Sequence, residues 1–300
     1  MSLPDLTGRR VVITGGNAGL GFVSARTLAS AGAHVLLAVR DLKKGEAAAA
    51  QIRAAADGAS VNVAALDLAD LASVRAFADA QLESGPLDIL INNAGLMLVP
   101  TRQLTADGHE MHMGVNHLGH FALTLRLMPV LSESPAARVV SVSSVAHRLT
   151  GSLDRRLGLE GRYTSMTAYS QSKLACALFG FELHRRLRQA HVPITSVVAH
   201  PGVVATELFT RQLRPGIFHR VTGALTPLLG SAPEHGAQPQ IRAAADPSLV
   251  GGELIGPRFL LRGEPVLEVP ARNARDFASA AWLWERSEQF TGLSLKVLTG

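Results

Sequence analysis

Tyr169 and Lys173 stand four residues apart in the stretch Tyr169-Ser-Gln-Ser-Lys173, whose surroundings predict the front of a helix running to about Ala190. Residues four apart share a helix face, so the phenol and the ammonium point the same way. A free tyrosine, with a pKa near 10, is a poor acid or base at neutral pH. A cation about 4 Å away, at an effective dielectric near 20, favours phenolate by up to about 4 kcal/mol and so makes general acid–base work available. Upstream, Ser143-Ser144 closes the apolar run from Arg138 to Val142 and offers hydroxyls at a strand tip, where one could donate to a substrate carbonyl. A Tyr and Lys at this spacing also occur by accident on many helices. The elements that would position them therefore decide.

Arg10 to Thr14 is a short β-branched run suited to a buried parallel strand, followed at once by Gly15-Gly-Asn-Ala-Gly19-Leu-Gly21 and a helical stretch to about Ala31. Glycines there allow a tight turn, and the helix N-terminus offers free N–H groups to phosphates. His34 to Val39 reads as a second strand. In a dinucleotide fold its tip meets the adenosine ribose, and here the tip is Arg40, with Asp41, Lys43 and Lys44 close behind. A guanidinium binds a 2′-phosphate bidentately, which favours NADP(H) over NAD(H), although Asp41 could fold back on the ribose. Lys43 to Ala56, Val61 to Leu66 and Asp70 to Glu83 continue as helix, strand and helix. Asp67 and Leu68 follow the third strand, with Asp67 either reaching the adenine or capping the next helix. Asp88 to Ile91 forms a fourth strand ending in Asn92-Asn93-Ala94-Gly95, small enough for a cofactor to lie against the backbone. Arg138 to Val142 is the fifth strand. Such alternation implies an α/β fold, a Rossmann-like doubly wound parallel sheet of about seven strands with helices on both faces and ligand at the strand carboxyl ends.

Asp107-Gly-His-Glu110 has capping-box spacing and predicts a helix to about Leu131. His109, His112, His117 and His120 crowd it. His-Glu-Met-His is not the H-E-x-x-H arrangement and no acidic partner set accompanies it, so no metal is expected. Asn116 lies inside the same helix, against its propensity.

The chain has 300 residues, 47% hydrophobic and 18% charged, which suits one globular domain over 1–300 without a disordered bias. Its single cysteine, Cys176, excludes an internal disulfide and reads as a small buried hydrophobe. Met1 to Thr7 lacks a signal-peptide pattern and no stretch reaches membrane-spanning length, so a cytoplasmic protein is expected. The net charge of +5 is scattered and not interleaved with aromatics, which argues against nucleic acid as partner. A homo-oligomer is compatible with the sequence.

Together these residues resemble the short-chain dehydrogenase/reductase family. Thr14-Gly-Gly-Asn-Ala-Gly-Leu-Gly21 is similar to its glycine turn, Asn92-Asn-Ala-Gly95 to its N-N-A-G, Ser144 with Tyr169-x-x-x-Lys173 to its catalytic set, and His200-Pro-Gly202 to its P-G element. Val39-Arg-Asp41, Gly114-Val-Asn-His-Leu-Gly-His-Phe121 and His200-Pro-Gly-Val-Val-Ala-Thr-Glu207 are similar to the retinol-dehydrogenase-like branch. The resemblance implies Ser144, rather than Ser143, as the donor to the substrate oxygen and Tyr169 as general acid or base. It implies Lys173 as partner to the tyrosine and the nicotinamide ribose, and Asn116 as anchor of a water leading from Lys173. It assigns cofactor contacts to Gly15, Asn17, Gly19, Leu20, Asn93, Ala94, Gly95, Pro201, Gly202, Val203 and Thr206. Ser144 and Tyr169 are separated by an insertion over residues 147–166, which adds His147, Leu149 and Tyr163 as candidate pocket walls.

Ile194 to Ala199 predicts the sixth strand, Pro233 to Ala245 a helix, Leu254 to Leu260 a last strand, and Asn273 to Phe290 an amphipathic helix with Phe277, Ala281 and Trp284 on its packed side, across the sheet edge. The apolar segment at about 207–230 falls where the family places its substrate lid. A lipophilic or bulky substrate follows, unless the segment is core packing, a dimer face or a membrane-surface contact. The expectation is an NADP(H)-dependent oxidoreductase interconverting a ketone or aldehyde and its alcohol. The alternatives are a non-catalytic NADP(H)-binding regulator or scaffold, which would be expected to lose part of the Ser-Tyr-Lys set, and sugar-nucleotide epimerase chemistry, against which the Gly15-x-x-x-Gly19-x-Gly21 spacing argues.

Overall fold

The computed structural model describes residues 3–204 and 232–295. Thr206 and the apolar segment at about 207–230 lie outside them. Eight strands form one sheet in the order β3-β2-β1-β4-β5-β6-β7-β8. The strands are β1 (Arg10–Thr14), β2 (His34–Val39), β3 (Ser60–Ala65), β4 (Ile89–Asn92), β5 (Arg138–Val142), β6 (Thr195–Ala199), β7 (Leu254–Pro257) and β8 (Pro265–Glu268). β1 to β7 run parallel, and β8 pairs antiparallel with β7, opposing Ile255 to Leu267. The sheet thus gains a strand beyond the expected seven. The apolar run expected to continue to Leu260 ends at Pro257, and the Pro257–Pro265 pair closes the ladder where neither residue can donate an N–H.

Side chains alternate between two apolar layers. Val11 and Ile13 of β1 pack with α1 (Gly19–Ser30), α2 (Leu42–Ala55) and the late helix α7 (Gln238–Ala245), which follows the short α6 (Pro233–Gly236). Val12 faces the opposite layer, built from α3 (Leu71–Leu82), α4 (Gly119–Ser132), α5 (Ser165–Gln189) and the C-terminal α8 (Phe277–Thr291). Helices on both faces follow from this period-two burial. α8 does not cover the sheet edge. Trp284 packs 5.0 Å from the Phe121 ring and 5.9 Å from Phe179, on α4 and α5. Its buried side carries Ala280, Leu283, Trp284 and Ser287, whereas Phe277 is 69% exposed, so the expected face is rotated.

The helix expected from Asp107 begins later. The Asp107 carboxylate instead accepts the Leu71 N–H at the start of α3. The buried Glu110 accepts the N–H groups of His112 and Met113 and so opens the next segment. That segment, Met113–Leu118, is π-helical and runs directly into α4. Single π turns cluster at functional sites, and Asn116 lies within this one. Among the described residues no helix is long and apolar enough to cross a membrane.

Candidate active site

Strand order reverses direction between β1 and β4, and the crevice at their carboxyl ends is where a doubly wound sheet binds ligand. There the chain leaves β1 through Gly15, at φ +66°, and enters α1 at Gly19, at φ +53°. Both values lie in the left-handed region that favours glycine. A Cβ at Gly21 would collide with the Gly15 carbonyl and the Asn93 side chain, and one at Gly15 would press on Ala94 at 3.1 Å. The turn therefore fits against Asn93 and Ala94 only because Gly15 and Gly21 carry no side chain. The N-cap, Ala18, makes no side-chain bond and the first turn has no acidic residue, so the α1 N–H groups are open to an anion. This cradle fits a pyrophosphate, and a nicotinamide dinucleotide is the cofactor that matches it. Asn17 and Leu20 flank it, half-buried.

Thr14 is the hub beneath. Its hydroxyl oxygen accepts the N–H groups of Asn93 and Ala94, both at 2.9 Å, and lies 2.9 Å from His120 Nε2. The Asn93 amide donates to the Thr14 carbonyl at 2.8 Å, and Gln240 of α7 donates to Asn93 at 3.1 Å and to Ser24 at 2.8 Å. Gln240 was not singled out in the sequence, because its partners are more than 100 residues away and no local pattern marks it.

At the β2 tip Arg40 is exposed and makes no ion pair among the described residues. Asp41 is instead the N-cap of α2, accepting the Lys44 N–H at 3.1 Å and pairing with Lys44 Nζ at 3.4 Å. These bonds, the backbone N–H first, hold its carboxyl below the usual range. Asp67 does not cap α3, a task that Asp70 performs through the Ala72 N–H at 2.8 Å. Asp67 folds onto its own loop, accepting the Ala69 N–H at 2.9 Å, and Leu68 is buried beside Gly119.

Ser143 and Ser144 diverge at the end of β5. Ser143 points into the core and donates to the Lys173 carbonyl at 2.7 Å. Ser144 caps a short 3-10 turn, Val145–Leu149, accepting the Ala146 N–H at 3.2 Å, which leaves its own hydroxyl proton free to be donated. α5 starts at Ser165, capped by Thr164, so Tyr169 and Lys173 sit in its first turns. Tyr169 is half-buried, and its hydroxyl makes no hydrogen bond among the described residues. Lys173 is 5% exposed and donates to the Val142 carbonyl at 3.0 Å. A Cβ on Gly95 would stand 3.3 Å from Lys173 Nζ and 3.2 Å from Asn116 Oδ1, so these three groups converge around a glycine. The Asn116 side chain brackets the Leu96 peptide, accepting its N–H at 2.7 Å and donating to its carbonyl at 3.0 Å, and also donates to Ser172 at 2.8 Å. It thus holds the chain leaving Gly95 against α5.

A sequence profile of the short chain dehydrogenase family matches residues 9–215. The chain belongs to that family. Human retinol dehydrogenase 12 is 43% identical over 290 residues, covering 96% of this chain and 88% of that protein. Mouse polyprenol dehydrogenase is 43% identical over 297 residues, covering 97% and 86%. The crystal structure of an uncharacterised protein from Mycobacterium paratuberculosis superposes with a TM-score of 0.83 at 43% identity, covering 99% of this chain and 98% of that one. The RhlG/NADP active-site complex of Pseudomonas aeruginosa superposes at 0.66 with 27% identity, covering 84% and 95%.

Within this short chain dehydrogenase fold the buried histidines in and beside the π-helical segment each make their own hydrogen bonds to neighbouring segments. Among the described residues no three His, Cys, Asp or Glu side chains converge to hold a metal. His120 Nδ1 lies 2.9 Å from the Asn116 carbonyl, and burial, opposed by that bond and assisted by Lys173, brings its pKa to about 4. It is therefore neutral, with its proton on Nδ1 and Nε2 accepting from the Thr14 hydroxyl, and it ties the phosphate turn to the π-helical segment. His117 contacts Ser287 of α8 at 2.8 Å, and burial lowers it to about 3. His112 lies buried on Glu110, its ring 6.3 Å from that of Tyr169. Cys176 is buried against the Asn116 carbonyl at 3.1 Å, and burial pushes its thiol up.

The insertion contributes packing rather than a uniform wall. Leu149 is 71% exposed. Tyr163 donates to the Val99 carbonyl at 2.6 Å, and burial, then Glu110, raises its pKa to about 12. His147 turns inward and donates to the Ser144 carbonyl at 2.6 Å. After β6, Gly202 at φ +73° packs so tightly under Leu261 and Pro257 that a Cβ would clash, and its neighbours Pro201 and Val203 are half-buried at the same strand ends.

Proposed function

We propose that this chain is an NADP(H)-dependent oxidoreductase interconverting an aldehyde or ketone and its alcohol on a lipophilic small molecule. The observation that carries the reading is the Tyr169 hydroxyl, without a hydrogen bond among the described residues, one helical turn from the buried Lys173 ammonium, at the strand ends that also carry the bare glycine turn. Bound reduced nicotinamide supplies the hydride. Ser144 donates its free hydroxyl proton to the carbonyl oxygen and stabilises the charge that develops there. Tyr169 gives that oxygen its proton, or takes it back in the alcohol-oxidising direction. Lys173, which donates to the Val142 carbonyl, stabilises a tyrosinate and holds a ribose hydroxyl in this reading. Asn116 keeps the Leu96 peptide and α5 in register around it.

The 2′-phosphate reading is supported by Arg40, which is exposed at the β2 tip while Asp41 is engaged in capping α2. Its precedent in the fold is the NADP complex of RhlG. For substrate, the names of the retinol and polyprenol dehydrogenases point to alcohols with long isoprenoid tails. An isoprenoid aldehyde is accordingly the first compound to try. The test follows NADPH oxidation at its near-ultraviolet absorbance over a panel containing all-trans-retinal, a polyprenal and simple aromatic ketones. Turnover on the isoprenoid aldehydes is expected. Tight NADPH binding with no turnover on any of them would make the chain a cofactor-responsive regulator.

A further inference from the structure

The strand that the sequence pattern concealed, β8, sends one carboxylate back towards the site. Glu268 Oε1 accepts from His200 Nε2 at 3.0 Å, and Oε2 accepts from Arg148 at 3.0 Å. With its proton on Nε2, His200 uses Nδ1 to accept the Gly202 N–H at 3.2 Å. Arg148 belongs to the 3-10 turn that Ser144 caps, and its neighbour His147 holds the Ser144 carbonyl. Asn273, also late in the chain, donates to the carbonyls of His147 at 2.7 Å and Thr150 at 2.6 Å. One carboxylate therefore bridges the turn after β6 and the turn after β5. Space has been left for it: a Cβ on Gly256 of β7 would collide with both the Glu268 carboxylate and His200 Nε2. Glu268 and Asn273 lie beyond residue 215, where the family match ends.

We propose that Glu268 is a positioning residue that locks the Pro201–Val203 turn to the turn capped by Ser144, fixing the nicotinamide side of the site against the carbonyl side. This rests on the roles given above to Ser144 and to the Pro201 turn. The logic is that of a supporting shell, since a site is only as exact as the groups that hold its first contacts. His200 is buried and Glu268 mostly so, which makes the link stiffer than an exposed ion pair of the same length. Removing the carboxylate frees His200 to rotate, and Gly202 loses its fixed acceptor.

The experiment compares wild type with Glu268→Ala, Glu268→Gln and Gly256→Ala, the last disturbing the same pair from the other side. Calorimetric titration measures binding of NADPH and of adenosine 2′,5′-bisphosphate, which lacks the nicotinamide half. Turnover of all-trans-retinal per cofactor-binding site is measured with NADPH and with its 4-deuterated form. The variants are expected to bind the bisphosphate as wild type does and NADPH more weakly. Their kcat per site should fall about tenfold, as misplacement of reacting groups does, and the deuterium effect should rise. Glu268→Gln, which keeps the shape but loses the charge facing Arg148, should fall between wild type and Glu268→Ala. Variants that lose thermal stability alone, with unchanged NADPH affinity, kcat per site and isotope effect, overturn the proposal. Equal weakening of both ligands overturns it too. A wild type that binds NADPH but reduces nothing removes the enzyme reading, while the two binding titrations still decide Glu268. A wild type that binds neither ligand overturns both.

Discussion

Ser143 and Lys173 are joined by a hydrogen bond from the serine hydroxyl to the lysine carbonyl at 2.7 Å, and the lysine ammonium returns one to Val142 at 3.0 Å. The end of β5 and the front of α5 are thereby stitched twice within two residues. This separates the roles of adjacent serines. Ser143→Ala removes a buried hydrogen bond to a carbonyl that still accepts within α5, and should cost about 1 kcal/mol of stability, with little change in kcat per folded site. Ser144→Ala should lower kcat by about 10²-fold or more, beyond the roughly 1 kcal/mol that its cap contributes. Urea unfolding combined with turnover per cofactor-binding site distinguishes them. Equal kcat losses in both variants would contradict the assignment.

Tyr169→Phe keeps the ring and removes only the hydroxyl, which makes no hydrogen bond among the described residues. Turnover should drop by at least about 10²-fold, while NADPH affinity stays close to wild type. Unchanged activity in this variant would sink the mechanism. Pre-steady-state reduction of all-trans-retinal by enzyme-bound NADPH makes the comparison independent of product release.

Arg40→Ala should weaken NADPH by about ten- to a hundredfold, the worth of a charge-assisted hydrogen bond to phosphate, with little effect on NADH. Asp41→Ala should instead lower stability slightly through the lost α2 cap and leave the NADPH-to-NADH preference in place. Fluorescence titration with both nucleotides reads the two effects. Equal losses for NADPH and NADH in Arg40→Ala would show that this guanidinium does not meet a 2′-phosphate.

What the sequence made legible was local. The Gly15–Gly21 turn, the Tyr169–Lys173 spacing and the alternation of apolar runs with amphipathic stretches each depend on neighbours a few residues apart, and the parallel sheet followed from them. The supporting contacts were not legible, because they join distant segments. Thr14 to His120, Gln240 to Asn93 and Glu268 to His200 span 106, 147 and 68 positions. β8 was missed because Pro257 stops a run that was expected to continue to Leu260, and the returning strand is only four residues long. The partners of the histidines crowded around Asn116 were equally hidden: His120 meets Thr14 and the Asn116 carbonyl, His117 meets Ser287, and His112 meets Glu110 and the Val99 N–H.

Those histidines predict a steep acid limit. His117 is lowered to about 3, and His120 and His147 to about 4, each chiefly by burial. An unfolded histidine binds its proton near pH 6.5, so below that pH the unfolded chain holds more protons than the folded one. Stability is then undiminished above about pH 6.5 and falls as the pH drops towards 4. Each histidine contributes up to about 1.4 kcal/mol per pH unit, or about 4 for the three together. Asp88 and Glu268, whose carboxyls are held low by Arg10, Arg9 and His200, act in the same direction but mainly below the usual carboxylate range. The interval from pH 6.5 to 5 therefore isolates the histidines. Urea unfolding at half-unit steps across it should give a slope of about three protons or more, since burial also lowers the half-buried His109 and His184. His117→Gln, whose amide can still donate to Ser287, should remove about one of them. A flat profile over that interval, or an unchanged slope in the variant, would mean that these rings are not held neutral by the fold.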